Sequence, residues 1–542
     1  MQVRKKYPLL SLAALLGGCA VGPTYHAPQA SQPSAFGEAG GNPTAAEKGA
    51  TAGLPPDPNS LTRWWTVFHD AELDSLLERA LRNNRDLRVA ISRVREARAQ
   101  RQVASSALIP EVDATAGYNR SRGSKNVVLP LSSLTGNGST ASADGSANPQ
   151  ETDPHALSPM DAATSPASAS GAGAQSTGSA PPGGPNSPFG EGGLPGVTTN
   201  LFQAGFDAVW EIDVFGGTRR AIEAADAQAE AAQEGAYGVR VTLMAEVATT
   251  YLQLRSNQER EEIARNNIES QRLTWRIAQD KFEQGVGDEV GAAQELAQLR
   301  AAEATIPPLL AAERVDQHAL SFLLGEDPTG LSSELSPHKG LPSLPGEVPV
   351  GVPSDLLRRR PDIRQAERQL AVSSAVVGES TAELYPQFSL TGSFGLDSSD
   401  LKHLPEWSSH YYSIAPGVSW PILDWAKLRA AIRAANEEET QALLAYQTAI
   451  EQALKDVEDA LVKYEQERGR NAALQRASEQ AAHARQVTEQ IYEQGLADET
   501  ATLEAERAVL QADDQLAQSD ANLRIELVSL YKALGGGWEV KG

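Results

Sequence analysis

Few side chains in this sequence could carry covalent or metal chemistry. Its 542 residues include one cysteine, Cys19, and eight histidines that lack the spacing of a metal site. A disulfide framework and a cysteine-based zinc cluster are therefore excluded. Gly392-Ser393-Phe394-Gly395 lacks the spacing of a nucleophile elbow. Gly535-Gly536-Gly537, interpreted as a flexible C-terminal stop, has no preceding strand, which a phosphate loop requires. We expect no enzyme, no metal and no bound cofactor.

The one cysteine follows a segment organised like a secretory signal. Its positive residues are Arg4, Lys5 and Lys6, residues 9–16 are apolar, and Leu16-Gly17-Gly18-Cys19 comes next. These four residues resemble a bacterial lipobox, which implies that residues 1–18 are removed and that Cys19 becomes a lipid-modified N-terminus. Ala20 in the next position implies sorting to the outer membrane. An ordinary signal peptide with an incidental cysteine is the alternative, but the position of the only cysteine favours the lipobox.

Charge and hydropathy restrict the partners and the way the chain meets a membrane. The formal net charge is −23, so nucleic acid is not an expected partner. No apolar run reaches the roughly 18 residues that a membrane-spanning helix needs. Arg358-Arg359-Arg360, at the start of a predicted helix, is more typical of a surface ion-pair cluster than of an anion site.

The chain contains two copies of one unit. Asp86-Leu87-Arg88 matches Asp362-Ile363-Arg364 at an offset of 276 residues, whereas later matches share an offset of 210. The later matches pair Phe282-Glu283-Gln284-Gly285 with Tyr492-Glu493-Gln494-Gly495, and Leu324-Gly325 with Leu534-Gly535. The first copy therefore carries 66 additional residues between positions 118 and 210.

These additional residues have the composition of a floppy surface loop. Residues 121–200 consist mainly of small and polar residues that cannot bury a core. We predict a signal at 1–18, an extended lipid-anchored tether at 19–60, repeat 1 at 61–325, a linker at 326–352, repeat 2 at 353–537 and a tail at 538–542.

Each repeat contains two stretches in which apolar and polar residues alternate, which is typical of strands with one apolar face. The predicted strands cover about 111–120, 201–214, 387–397 and 411–422. A soluble sandwich and an outer-membrane barrel both fit this alternation. The lipoprotein signal favours the barrel. Because four strands are too few to close one, identical neighbouring chains would have to contribute strands, and three copies would give twelve.

Each repeat also contains a long helical hairpin, predicted at 218–324 and 426–534. Apolar residues in the first helix are spaced alternately by three and four, and about 66 helical residues would extend roughly 100 Å. A plain coiled-coil dimer is the alternative, but it does not explain why strands precede the helices. Pro307-Pro308 predicts a kink or a break in the second helix of the repeat 1 hairpin, whereas the second helix of repeat 2 should be continuous.

With these elements in place, the sequence resembles the TolC-like outer membrane factors, and within them the NodT-type efflux lipoproteins. The matching motifs are Cys19-Ala20-Val21-Gly22-Pro23-Thr24-Tyr25, Trp64-Trp65 with Phe68, Asp70 and Leu73, Pro353 to Ile363, and Tyr492-x-x-Gly495. The resemblance implies a mixed α and transmembrane-β fold. In it, a trimeric twelve-stranded β-barrel with four strands per chain continues into a long periplasmic α-helical barrel.

The resemblance also implies partners and site residues. The homotrimer would dock onto a periplasmic adaptor and an inner-membrane transporter through the hairpin turns, at Gly285, Gly287, Asp288, Gly495 and Asp498. Glu504, Thr500 and Tyr492 would form the periplasmic gate, although the family more often has Asp at the first position and an apolar residue at the second. The implied function is efflux of small toxic compounds. A conduit for protein secretion and, less favoured, a periplasmic adaptor or scaffold are the alternatives.

Overall fold

The computed structural model describes residues 20–28, 36–37, 51–52, 61–124, 197–345, 349–351, 353–494, 496 and 499–538. The chain divides into two compact units. We call them the helical unit (residues 1–109, 211–388 and 418–542) and the sheet unit (residues 110–210 and 389–417). Among the described residues, no helix combines the length and the apolar character needed to cross a membrane.

The elements follow the repeat of the sequence. The helices up to the end of repeat 1 are α1 (Ala71–Asn83), α2 (Arg85–Ser106), α3 (Gly217–Glu283), α4 (Glu289–Glu303) and α5 (Ile306–Leu323). The remaining helices are α6 (Ser332–Leu335), α7 (Pro353–Arg359), α8 (Pro361–Ala382), α9 (Trp425–Glu493) and α10 (Glu499–Ala533). The strands are β1 (Thr51–Ala52), β2 (Glu111–Arg122), β3 (Thr198–Ile212), β4 (Pro349–Gly351), β5 (Gln387–Ser398) and β6 (His410–Ser419).

The two long helices, α3 and α9, contain 67 and 69 residues, so each extends about 100 Å. The helix α3 starts at a sharp corner after β3, where Gly216 has a left-handed φ of 87°. The carboxylate of Asp213 fixes this corner by accepting hydrogen bonds from the backbone N–H groups of Gly216 (2.7 Å) and Arg219 (3.0 Å). The strand can therefore pass into the helix with its first N–H groups satisfied.

The returning helices differ between the repeats as predicted. In repeat 1 the helix α4 ends at Glu303, and α5 begins at Ile306 with Pro307 and Pro308 in its first turn. Proline lacks the backbone N–H that a helix interior needs, but it is tolerated where a helix begins. In repeat 2 the helix α10 runs unbroken over 35 residues. The predicted break at the proline pair is confirmed.

The largest buried apolar cluster joins the two repeats. Trp64, just before α1, is almost fully buried and stacks on Tyr531 of α10 with a ring-centroid distance of 5.5 Å. The N–H of Gly537 donates to the carbonyl of Leu61 at 2.8 Å. Residues that open repeat 1 thus pack against residues that close repeat 2.

Two expectations about the chain ends need correction. Trp538, assigned to a tail at 538–542, is buried, and its Nε1 donates to the carbonyl of Arg359 at 3.1 Å. The preceding glycines are packed rather than flexible, because Gly535 and Gly537 adopt left-handed conformations that turn the chain onto the core. The described residues of the predicted tether at 19–60 make contacts with the helical unit. Val21 donates to the carbonyl of Phe215, and Gly37 donates to the Glu458 carboxylate at 2.7 Å.

Candidate functional site: the strand faces and the hairpin turns

The sheet unit holds a four-stranded sheet in the order β2-β3-β5-β6. The strands β2 and β3 pair antiparallel, and their register places apolar residues directly opposite each other. The pairs on this face are Val112 with Ala208, Ala114 with Phe206, Ala116 with Ala204, and Tyr118 with Phe202. The rings of Tyr118 and Phe202 stack at 4.6 Å. One face of this strand pair is therefore continuously apolar.

The apolar residues of this sheet are exposed rather than covered. In β6, the alternate residues Tyr412, Ile414 and Val418 are 71%, 72% and 67% exposed. Polar residues lie mainly on the opposite face of the β2–β3 pair, where Thr115 Oγ1 donates to Asp207 Oδ2 at 3.2 Å. Exposed apolar surface of this extent is typical of a face that meets lipid or another protein.

The sheet also ends in two edges. In the described part of the chain, β2 and β6 each have one neighbour, so the outer edge of each strand has no partner strand. Pro416 lies inside β6, and proline is tolerated there because an edge strand need not donate every N–H to a neighbour. Open edges of this kind favour pairing with strands of another chain.

Aromatic and large apolar side chains lie close to the strand ends within the helical unit. Phe215, three residues beyond β3, stacks on Tyr385 at 4.7 Å. The indole of Trp420, next to the end of β6, donates to the carbonyl of Leu384 at 3.1 Å. Leu423, three residues further along, is almost fully exposed. Such residues are enriched where barrel strands cross the membrane–water boundary.

The turn between α3 and α4 closes on a left-handed glycine. Gly285 has a φ of 73°, and the N–H groups of Val286 and Gly287 both donate to the carbonyl of Lys281, at 2.9 and 3.0 Å. The Asp288 carboxylate then caps α4 by accepting a hydrogen bond from the N–H of Gly291 at 2.7 Å. These contacts satisfy backbone groups at the end of α3 and at the start of α4.

The second turn repeats the first where it is described. Leu496 donates to the carbonyl of Ile491 at 3.0 Å, the same bond 210 residues later as that of Val286 with Lys281. Two of the predicted docking residues, Gly495 and Asp498, lie outside the described residues, as does Cys19.

Both turns expose an apolar residue that sequence reasoning did not select. Val286 is 80% exposed and Leu496 is 77% exposed, and the two occupy equivalent positions of the repeats. The signal available in the sequence was an apolar residue directly after the turn glycine in both copies. Each hairpin thus ends in an apolar tip, which we name the Val286 tip and the Leu496 tip.

The predicted gate residues flank the Leu496 tip. Tyr492 is partly exposed near the end of α9, and Glu504 is exposed on α10, four residues after Thr500. Residues four apart lie on one face of a helix. Of Thr500 the structure describes only the helical backbone. Glu506 lies nearby on α10; burial raises the pKa of its carboxyl group, and the positive charge of Arg485 opposes that shift.

Comparison with known proteins identifies the kind of molecule to which this sheet and these helices belong. The family profile described as outer membrane efflux protein matches residues 76–148, 167–326 and 352–536. The pyoverdine export outer membrane protein OpmQ of Pseudomonas putida is 30% identical over 477 residues, which are 88% of each chain. The toluene efflux pump outer membrane protein TtgI of the same species is 27% identical over 99% of each chain.

Solved structures agree with the sequence relatives. The outer-membrane channel OprN matches with a TM-score of 0.75 and 31% identity, over 96% of this chain and all of that one. This chain belongs to the outer membrane efflux protein family. The family, the mixed α and transmembrane-β channel fold, the outer-membrane location and the efflux function predicted from the sequence are confirmed.

Proposed function

We propose that three copies of this chain form an outer-membrane channel that receives small toxic compounds from an inner-membrane pump through a periplasmic adaptor. The observation that carries this proposal is the sheet, with an exposed apolar face and two unpartnered outer edges in the described part of the chain. Four strands are too few to close a barrel, whereas three chains supply twelve. Trimer formation would pair the edges, and the lipid would cover the apolar face.

The strand ends fit a bilayer boundary and a lipid anchor. Ala20 packs so closely on Gly216 that a Cβ atom added to Gly216 would lie 2.8 Å from the Cα atom of Ala20. Cys19 precedes Ala20, so a lipid on Cys19 would be attached beside the corner where β3 passes into α3. The aromatic residues near this corner, Phe215 and Tyr385, match the preference of aromatic side chains for the membrane–water boundary.

The Val286 and Leu496 tips fit a docking role. In a trimer they would form six exposed apolar contacts of two kinds at the ends of the hairpins. Full burial of each side chain by an adaptor would contribute about 1.5–3 kcal/mol. The turn residues Gly285, Gly287 and Asp288 would present the Val286 tip to the adaptor. Gly495 and Asp498 are the docking residues that the sequence predicts beside the Leu496 tip.

Glu504 would supply the charge of the periplasmic gate. Three copies of Glu504 around the narrow end would repel one another and attract cations. Thr500 and Tyr492 would line the same constriction. Adaptor binding would open it only if the adaptor bound the open state more tightly than the closed state.

The gate assignment is tested by bilayer conductance of purified trimers. Glu504→Gln removes one negative charge per protomer, so cation preference should fall several-fold. Glu479→Gln is the matched control, because Glu479 is an exposed acid on α9 well before its end. Conductance and cation preference that are the same for Glu504→Gln and the wild type would refute the gate role.

The efflux role is tested in cells that lack only this gene. Complementation with the wild type should restore resistance to small apolar toxicants, in keeping with the relative named for toluene efflux. Leu496→Asp should not restore resistance, although it reaches the outer membrane and conducts in bilayers, because it cannot dock. Loss of a secreted protein with unchanged toxicant resistance would instead support the protein-secretion alternative.

A further inference from the structure

Three potential metal ligands from distant parts of the sequence meet in the helical unit. Glu261 lies on α3, Glu313 lies on α5, and His338 lies in the linker after α6. One ligand atom from each residue lies within 4.8 Å of the other two. Spacing along the sequence could not reveal this cluster, because the three residues are 25 to 77 positions apart.

One carboxylate oxygen of Glu313 lacks a hydrogen-bond donor in this cluster. Its residue is only 7% exposed, and its Oε1 atom is buried without a hydrogen-bond partner among the described residues. A buried carboxylate oxygen without a donor is costly, so a cation at this point would be strongly favoured.

The carboxylate of Glu261 is oriented with one oxygen towards the cluster. Arg265 Nε donates to Glu261 Oε1 at 2.8 Å, which fixes the plane of the carboxylate. The other oxygen, Oε2, lies 3.1 Å from His338 Nε2. The imidazole nitrogen and this oxygen therefore face each other on the side where Glu313 also lies.

The linker around His338 is held in place on both sides. Gln258 Nε2 donates to the carbonyl of Leu335 at 2.7 Å, and an Arg255 guanidinium nitrogen donates to the carbonyl of Pro337 at 2.8 Å. Lys339 Nζ pairs with a Glu72 carboxylate oxygen at 2.8 Å. The backbone that carries His338 is therefore preorganised, as metal ligands generally are.

We propose that Glu261 Oε2, Glu313 Oε1 and His338 Nε2 bind a divalent transition-metal ion of the Zn²⁺ class. One nitrogen and two carboxylate oxygens suit Zn²⁺, whereas Mg²⁺ and Ca²⁺ prefer larger sets of oxygen ligands. His338 is partly exposed, so solvent can reach the site and supply the remaining ligand. The ion would fasten the linker between the repeats to α3 and α5.

Binding is measured by titrating Zn²⁺ into the full-length, detergent-solubilised protein after treatment with a chelator. We expect one Zn²⁺ per protomer at this site in the wild type. In Glu313→Gln and in His338→Gln, we expect the affinity of this site for Zn²⁺ to be at least tenfold lower. The matched control is His318→Ala, which removes an exposed imidazole from the same helix α5 and should bind as the wild type does.

Two further measurements separate binding from folding. Glu313→Gln removes a repulsive charge, so without metal its thermal midpoint should equal or exceed that of the wild type, and only the wild-type midpoint should rise with Zn²⁺. Co²⁺ should give visible absorption bands in the wild type that are absent in Glu313→Gln. Equal Zn²⁺ stoichiometry and affinity in the wild type and both ligand variants would overturn the proposal, as would equal competition by Mg²⁺.

Discussion

The last residue of each helical hairpin accepts an equivalent hydrogen bond in both repeats, but the donor group differs. In repeat 1, Asn84 Nδ2 donates to the carbonyl of Leu323 at 2.9 Å. In repeat 2, the equivalent residue Arg360 donates from its guanidinium to the carbonyl of Ala533 at 3.2 Å. Asn84 also caps α2, whereas Arg360 pairs with Asp362 and Asp456. The position of the contact is shared by the repeats, and the group that makes it is not.

Glycine shows the opposite behaviour, because here the residue type is shared as well. Gly325 and Gly535 both have left-handed φ angles, of 70° and 74°. A Cβ on Gly325 would lie 2.8 Å from the carbonyl oxygen of Asn83, and one on Gly535 would lie 2.9 Å from that of Arg359. A backbone-to-backbone approach leaves no room for a side chain, whereas a carbonyl accepts any donor of suitable reach. The residue type is therefore constrained more strictly at the two glycine positions than at the two polar positions.

The largest difference between the repeats should come from truncating the polar pair. Arg360→Ala removes a mostly buried cation from two carboxylates and one carbonyl, and should lower the free energy of unfolding by about 3 kcal/mol. Asn84→Ala removes a helix cap and one hydrogen bond, and should cost about 1–2 kcal/mol. Chemical unfolding followed by tryptophan fluorescence measures both values. Equal losses would show that the ion pairs add nothing to the shared contact.

The glycine pair should give an intermediate effect of equal size in both repeats. Gly325→Ala and Gly535→Ala each force a Cβ against a carbonyl at positive φ and should each cost about 2 kcal/mol. The matched control is Gly469→Ala in the middle of α9, where a Cβ meets nothing within 4 Å. That variant should gain about 0.5–1 kcal/mol from helix propensity. A neutral result for either Gly325 or Gly535 would contradict the account of the close approach.

A smaller expected effect is a pH dependence of folding stability that comes from α5 of repeat 1. Burial raises the pKa of Asp316 to about 6. The hydrogen bond that Asn257 donates lowers this pKa and so opposes part of the effect of burial. Because the folded state holds this proton more tightly than the unfolded state, the contribution to stability is full below about pH 4 and is lost as pH rises through about 6. Asp316→Asn should remove this dependence and gain about 1 kcal/mol at neutral pH. Asn257→Ala should move the transition to higher pH, and an unchanged pH profile in both variants would contradict this assignment.

The sequence predicted the elements whose pattern is local. The alternation of residues 111–120 and 387–397 indicated strands that the structure places at Glu111–Arg122 and Gln387–Ser398. Pro307-Pro308 indicated a helix break because proline acts on its own backbone. The family was also predictable, since its motifs are contiguous in sequence.

Contacts between distant segments were not predictable in the same way. The backbone hydrogen bond from Val21 to the carbonyl of Phe215 and the burial of Trp538 depend on partners far away in the chain. Composition indicated an extended tether and a flexible stop without their contacts, because small and polar residues do not indicate which surface they will cover. The sequence shows that Val286 and Leu496 are apolar, but their exposure depends on the folded hairpins.

Native mass spectrometry of the full-length protein, extracted from outer membranes in detergent, tests the central claim most directly. Three chains that share one barrel predict a single species with the mass of three protomers, and that species should require detergent to remain in solution. A monodisperse single protomer that stays dissolved without detergent would contradict the account, because its exposed strand face and open edges would then need no partner.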